Sequence, residues 1–151
     1  MKQILLIIIF AFTISNQYVK TYYDNAQLKS QGWIKDNQKT NYWHYYYSNG
    51  AKKAEGHYRA DKKINFWSYY NDKGKLIEEG HYKEGTKHGW WKFHRGDTLV
   101  EIKYQDSKKT GLAILKLNSK IVKAEYYKNG LKTDEWLTLA DFKKEYPRIN
   151  D

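Results

Sequence analysis

Two histidines and two carboxylates recur at one offset. Glu55-Gly56-His57-Tyr58 and Glu79-Gly80-His81-Tyr82 are matching tetrapeptides 24 residues apart. Imidazole beside carboxylate is a zinc donor set, so metal binding is the first chemistry to weigh. The spacing argues against it. Equivalent residues one repeat apart fall two strands apart, roughly 9.5 Å at the usual strand separation. Ligands that each sit about 2 Å from one ion cannot converge from backbones so spaced. No His-Glu-x-x-His segment and no His-x-His pair occurs. Glu78 and Glu79 adjoin, but neighbours on a strand point to opposite faces and cannot act as an acid/base pair. Ser48, Ser68, Ser107 and Ser119, mostly in turns, lack the strand-to-helix elbow of a serine nucleophile. Gly85-Thr86-Lys87 opens a strand where a phosphate-binding loop needs a helix. With no cysteine in the chain, there is no thiolate chemistry and no disulfide. The expectation is a non-enzymatic protein without cofactor or metal.

Charge and aromatic surface remain. The chain carries 27 Lys and Arg against 17 Asp and Glu, a formal charge of +10. Its basic residues gather in short loops: Lys35 with Lys39, Arg59 with Lys62 and Lys63, Lys83 with Lys87, Lys108 with Lys109, Lys128 with Lys132. In a meander alternate turns share one edge, so these loops would form a basic ridge. Such a ridge attracts anionic polymers or lipid headgroups in a salt-dependent way; the plain alternative is solubility for an aromatic-rich sheet. Six Trp, fifteen Tyr and five Phe supply the apolar area. Stacking rings with interleaved lysines suit single-stranded nucleic acid, and they also suit the apolar faces of glycans. Their regular spacing instead assigns most of them to the sheet's own packing. Tyr46, Tyr70 and His94 share one face, and Trp43, Trp67 and Trp91 the other. A single layer cannot bury both, so one set is expected to meet a partner.

The elements that position these residues are repeats. Ile34 and Trp43, Tyr58 and Trp67, Tyr82 and Trp91, Tyr104 and Ala113, and Tyr127 and Trp136 are each nine residues apart. They define five units whose period shrinks from 24 to about 23 residues. A leading fragment, Tyr22 to Leu28, resembles Tyr46 to Lys52. Within a unit Trp43, Tyr45 and Tyr47 alternate with His44 and Tyr46, the period of a strand. Turn signals follow at Ser48-Asn49-Gly50, Asn71-Asp72-Lys73-Gly74, Arg95-Gly96-Asp97 and Asn118-Ser119.

A size relation fixes the pairing. Eleven residues before Trp43, Trp67 and Trp91 stand Gly32, Gly56 and Gly80, and eleven before Ala113 stands Ile102. A large residue meets a small one each time, so each pair should face across a hairpin with the indole over the glycine. Tyr58 and Tyr82 follow two residues after their glycines in the same repeat frame. The fifth unit breaks the relation, with Glu125 against Trp136. At the end, Thr138-Leu139-Ala140-Asp141 resembles a capping box. Leu139, Phe142 and Tyr146 fall on one helical face before Pro147 stops the helix.

The expected fold is all-β. Residues 16–137 form a single-layer antiparallel β-meander of about five hairpin repeats of 23–24 residues. Residues 138–151 form a short capping helix and tail. Residues 1–15 read as a signal peptide: Met1-Lys2, nine unbroken apolar residues from Ile4 to Phe12, then small residues near Ser15. Nine helical residues reach roughly 14 Å, about half of the hydrocarbon core, so no permanent membrane span is expected. The absence of cysteine excludes a lipoprotein anchor. The mature chain is therefore expected in the periplasm, at the cell surface or in the medium, where nucleic acid is a poor partner.

Gly80-His81-Tyr82-Lys83-Glu84-Gly85-Thr86-Lys87-His88-Gly89-Trp90-Trp91-Lys92-Phe93 resembles the repeat of MORN-variant proteins. That pattern is a glycine and aromatic, a Gly/Lys-rich loop, then Gly-x-Trp-x-x-Tyr. Many bacterial members are labelled YwqK-type antitoxin-like proteins. The match is close over residues 56–94, fair over 32–55, and weak beyond 96, where Trp and Gly are partly lost. The resemblance implies a twisted single sheet of hairpins and a role in protein or membrane-surface interaction. It brings no catalytic residue.

The leading expectation is an exported module that binds another protein. One alternative is an anionic glycan or lipid-headgroup surface held by the ridge; another is a YwqK-type antitoxin. The expected contact residues are Arg59, Lys62, Lys63, Lys83, Lys87, Lys108 and Lys109, with Tyr46 and Tyr70.

Overall fold

The computed structural model describes residues 16–146. The leader read over residues 1–15 and the tail from Pro147 onward lie outside the described residues. Eleven strands follow in chain order: β1 (Gln17–Tyr22), β2 (Leu28–Lys35), β3 (Gln38–Tyr46), β4 (Lys52–Arg59), β5 (Lys62–Tyr70), β6 (Leu76–Lys83), β7 (Thr86–Arg95), β8 (Thr98–Gln105), β9 (Lys108–Leu117), β10 (Lys120–Lys128) and β11 (Leu131–Trp136). A short helix, α1 (Leu139–Glu145), ends the described chain. The strands form one open sheet in sequence order, each antiparallel to the next. The all-β meander with a terminal helix is the fold.

Turn chemistry sets this order. The central residues Asp36-Asn37, Ala60-Asp61, Glu84-Gly85, Asp106-Ser107 and Asn129-Gly130 all have positive φ, between 48° and 87°. Two-residue turns with both φ values positive match the right-handed twist of the flanking strands. Asn, Asp and Gly tolerate this region; alanine gains nothing there and carries a Cβ that costs about 1–2 kcal/mol. Of the turn residues outside that group, Glu84, Ser107 and Ala60, only Ala60, at φ 48°, has no polar side chain to bond locally. Ala60→Gly should therefore raise the unfolding free energy by about 1 kcal/mol, after the entropy glycine adds to the unfolded chain. Urea denaturation checks it, and an unchanged or lower midpoint would contradict the strain.

Side chains also tie unit to unit. Tyr23 Oη donates to Tyr46 O and Tyr47 Oη to Tyr70 O, both at 2.8 Å. Asn25 Nδ2 donates to Ser48 O at 3.1 Å and Asn49 Nδ2 to Asp72 O at 2.9 Å. The same bond one repeat later is the sign of neighbours stacked in one frame.

The indole–glycine pairs hold the sheet's centre. Trp43, Trp67 and Trp91 are 2 %, 1 % and 0 % exposed. A Cβ added to Gly32, Gly56 or Gly80 would lie 2.3–2.6 Å from the facing indole. Each ring lies against bare backbone and its Nε1 donates to a carbonyl beyond the glycine: Trp33 O at 3.0 Å, His57 O at 3.1 Å and His81 O at 3.0 Å. In the fourth unit buried Ile102 pairs with buried Ala113. The fifth unit departs for a reason of register: Glu125 faces Glu135, so Trp136 falls opposite Ala124 and on the other face. There Trp136 packs edge-on against Phe142, ring centroids 5.7 Å apart.

Phe142 is fully buried with Ile114, Ile121 and Ala124. Helix α1 therefore lies against the sheet face that Trp43, Trp67 and Trp91 do not occupy. Thr138 caps it, its Oγ1 accepting from Asp141 N at 3.1 Å.

A second backbone device recurs. Asn41, Asn65, Gly89 and Gly111 have φ of 57°, 58°, 70° and 64° inside strands. Asn65 and Phe66 pair with β6 but drop out of register with β4; Gly89 and Trp90 pair with β8 but not with β6. In the first three of these units the bulge lifts one aromatic (Tyr42, Phe66, Trp90) beside the buried indole; in the fourth Leu112 stands there, beside Ala113.

Candidate binding surfaces on the two sheet faces

On the tryptophan face, Tyr45 stacks along Trp43 and Tyr69 along Trp67, with centroids 6.0 and 5.9 Å apart. Tyr58 stands edge-on to Trp67 at 5.1 Å and Tyr82 to Trp91 at 4.9 Å. Lysines lie over these rings. Lys39 Nζ is 4.7 Å from the Trp43 ring centroid, Lys63 Nζ 4.4 Å from Trp67, and Lys87 Nζ 4.0 Å from Trp91. Lys109 lies 4.6 Å from Tyr127. Burial pushes the Tyr58 and Tyr69 phenols up and presses the Lys63 ammonium below the usual lysine range.

The five basic loops do share one edge, but their charges divide. Lys63, Lys87 and Lys109, with Lys39, fold inward onto the tryptophan face. The ring faces attract the ammonium while its alkyl stem covers apolar surface. Arg59 and Lys62 stay exposed and share the Glu84 carboxylate, Lys62 at 3.4 Å. Lys83 and Lys108 are exposed at the turns. Alternation of side chains across a strand made this division readable only once the strand starts were known.

On the opposite face, Tyr46 and Tyr70 are half-buried in polar ties. Gln31 Nε2 donates to Tyr46 Oη at 3.0 Å, and Tyr70 Oη donates to Glu55 Oε1 at 2.9 Å. Burial pushes the Glu55 carboxyl up, but hydrogen bonds from Lys52 and Tyr70 outweigh it and hold the group below its ordinary range. His94 lies 3.3 Å from Glu79, and His44 3.3 Å from Glu55. Glu78, by contrast, pairs with Lys87 on the tryptophan face. The two adjacent carboxylates thus point apart.

Neither aromatic set singled out by alternation is the exposed one. Apart from Tyr22 (57 %) at the end of edge strand β1, the exposed rings are Tyr18 (43 %), Trp33 (38 %), Tyr42 (36 %), Phe66 (43 %) and Trp90 (44 %). With His57 and His81 they make a row across β1 to β7 on the face opposite the buried indoles. Ring centroids are 5.2 Å apart for Tyr18–Trp33, 4.7 Å for Tyr42–His57 and 5.1 Å for Phe66–His81. The signal was present in the sequence: each of Tyr42, Phe66 and Trp90 stands between a positive-φ Asn or Gly and a buried Trp. Reading it required the bulge.

Among the described residues no group of three or more His, Asp or Glu side chains converges to hold a metal. No helix among them is long and apolar enough to cross a membrane. By fold the molecule is an open β-hairpin repeat protein with one lysine-aromatic face and one exposed aromatic row. Neither a protein-family model nor a curated protein matches the sequence.

Proposed function

We propose that the chain is a non-enzymatic repeat module, exported after loss of residues 1–15, that binds another protein through the exposed aromatic row. The observation that carries this reading is the row itself: five large rings more than a third exposed, side by side on one face. A sheet that needed them only for stability would bury them, as it buries Trp43, Trp67 and Trp91. Aromatic anchors dominate binding energy at protein interfaces, and rigid rings lose little entropy on contact. The MORN-variant resemblance, strongest over residues 56–94, falls on the same units and supports a protein-interaction role. A YwqK-type antitoxin role rests on that resemblance alone.

The test is affinity capture from the cell envelope and medium, followed by titration of the captured protein. Trp90→Ser should weaken binding about 30-fold, the effect of losing a hot spot of about 2 kcal/mol. The triple variant with Tyr42→Ser and Phe66→Ser should abolish capture while thermal unfolding stays near that of the parent. Capture unaffected by the triple variant would remove the row from consideration.

The anionic-glycan or membrane-surface reading depends on Lys35, Lys83, Lys108 and Lys128, exposed loop lysines at the shared edge. Retention on heparin or anionic vesicles that survives Trp90→Ser but is lost on reversing these four to Glu would favour it.

A further inference from the structure

The tryptophan face holds a second feature, independent of the aromatic row. Between the first units lies a cleft of about 320 Å³ lined by four lysines, half-buried Lys39 and Lys63 and exposed Lys29 and Lys53. No carboxylate lines it. Tyrosine rings, chiefly Tyr45, Tyr58 and Tyr69, form its walls.

Two bulges bring the cations together. Tyr45 pairs with Ala54 and Tyr46 with Lys52, which leaves Lys53 as the extra residue; in β2, Lys29 is left over in the same way. Two residues of a bulged strand oppose one of its partner, and both lysines join the cleft.

Comparison with the third unit shows what is missing. Ser30, Ala54 and Glu78 occupy one register position, opposite Tyr45, Tyr69 and Phe93. Glu78 there forms an ion pair with Lys87. Farther along, Lys123 and Lys132 share Glu125 and Glu135. Glu78 thus pairs with Lys87 and reaches Lys63 only at longer range, while among the described residues no ion pair is formed by Lys39, Lys63 or, in the fourth unit, Lys109, whose Nζ reaches only Tyr127 Oη at 3.4 Å. Among the described residues none of the four cleft lysines is in an ion pair. An ammonium has three N–H donors. Lys39 gives one to Tyr45 Oη at 3.0 Å and Lys63 gives one to Tyr69 Oη at 2.7 Å. Ring faces offset part of the desolvation, but a half-buried cation is best stabilised by an anion.

We propose that this cleft binds a small ligand bearing carboxylate or phosphate groups on an organic body, the anionic groups taken by Lys39 and Lys63 and the body laid on the tyrosine rings. The ligand supplies from outside what Glu78 supplies internally to Lys87. Lys39 and Lys63 fall two strands apart, about 9.5 Å between backbones, so a ligand with two or more anionic groups engages both.

The full chain is titrated at low ionic strength with inorganic pyrophosphate and with benzene-1,3,5-tricarboxylate, followed by calorimetry and indole fluorescence. Saturable binding of either probe is expected, and which one binds tighter separates phosphoryl from carboxylate recognition. Ala54→Glu installs the third unit's carboxylate and should weaken binding at least tenfold. The paired Lys63→Met variant should do the same by removing the cation, and serves if Ala54→Glu does not fold. Lys87→Met, outside the cleft lining, should leave affinity within about twofold, and Glu78→Ala should tighten it by removing the carboxylate that acts on Lys63. Trp90→Ser, on the opposite face, should not alter it, so failure of the protein-binding reading and failure of this one are distinguishable. No saturable binding of either probe, or equal binding by the parent and folded Ala54→Glu or Lys63→Met, would overturn the site.

Discussion

Gly56→Ala should destabilise the protein by about 3 kcal/mol, the upper part of the usual range for forcing extra volume into a packed core. The added methyl would lie 2.4 Å from the Trp67 ring. Real Cβ contacts do not come so close, so the indole or the backbone must move. Neither is free. Trp67 is 1 % exposed and is anchored by its Nε1 bond to His57 O at 3.1 Å, while β4 is held by ladders on both sides. The fourth unit shows the cure. There the glycine's place is taken by Ile102 and the indole's by Ala113. Gly56→Ile combined with Trp67→Ala should therefore recover much of the stability that each single change loses. A double-mutant cycle in urea measures the coupling, expected to be at least about 2 kcal/mol in favour of the pair. Full stability of Gly56→Ala alone would show that the ring can step aside, and the size relation would then have no energetic force.

Phe142→Ala should cost about 3 to 4 kcal/mol, within the range for deleting a fully buried ring. Phe142 is 0 % exposed and joins α1 to Ile114, Ile121 and Ala124; it also stacks on Tyr146 at 5.3 Å. The effect should be local. In a linear array each unit touches only its neighbours, so opening at one end need not spread. Amide exchange in Leu131–Trp136 and β10 should accelerate, while amides of β3 to β7 keep their protection. A uniform loss of protection along the sheet would mean that the array unfolds as one cooperative body. The helix would then be a keystone for the whole sheet.

The repeat, the strand alternation and the indole–glycine pairing were legible because each depends on residues at short fixed intervals. Gly32, Gly56 and Gly80 announce their tryptophans eleven residues ahead, and the hairpin makes that interval a contact. The capping box at Thr138 was readable for the same reason: all its atoms lie within four residues. Trp136 breaks the interval because in β10 and β11 Glu125 faces Glu135 and Trp136 faces Ala124. One residue of slip turned its ring to the helix.

Charge placement was not legible in that way. Lys63 and Lys87 look from their loops like surface cations, yet they lie over rings of their own strand and the next: Trp67, Tyr69 and Tyr82 for Lys63, and Trp91, Phe93 and Tyr104 for Lys87. Lys29 and Lys53 reach the cleft through bulges, which exist only where two strands fail to match one for one. Tyr42, Phe66 and Trp90 stand out for the same cause. The amino-acid order thus determined the ribbon, its period and its buried seam, since local geometry and residue volume suffice for those. Which cations find carboxylates, which rings meet solvent and where a cleft opens was decided by the assembled sheet, because those depend on partners in other strands and on the register that brings them there.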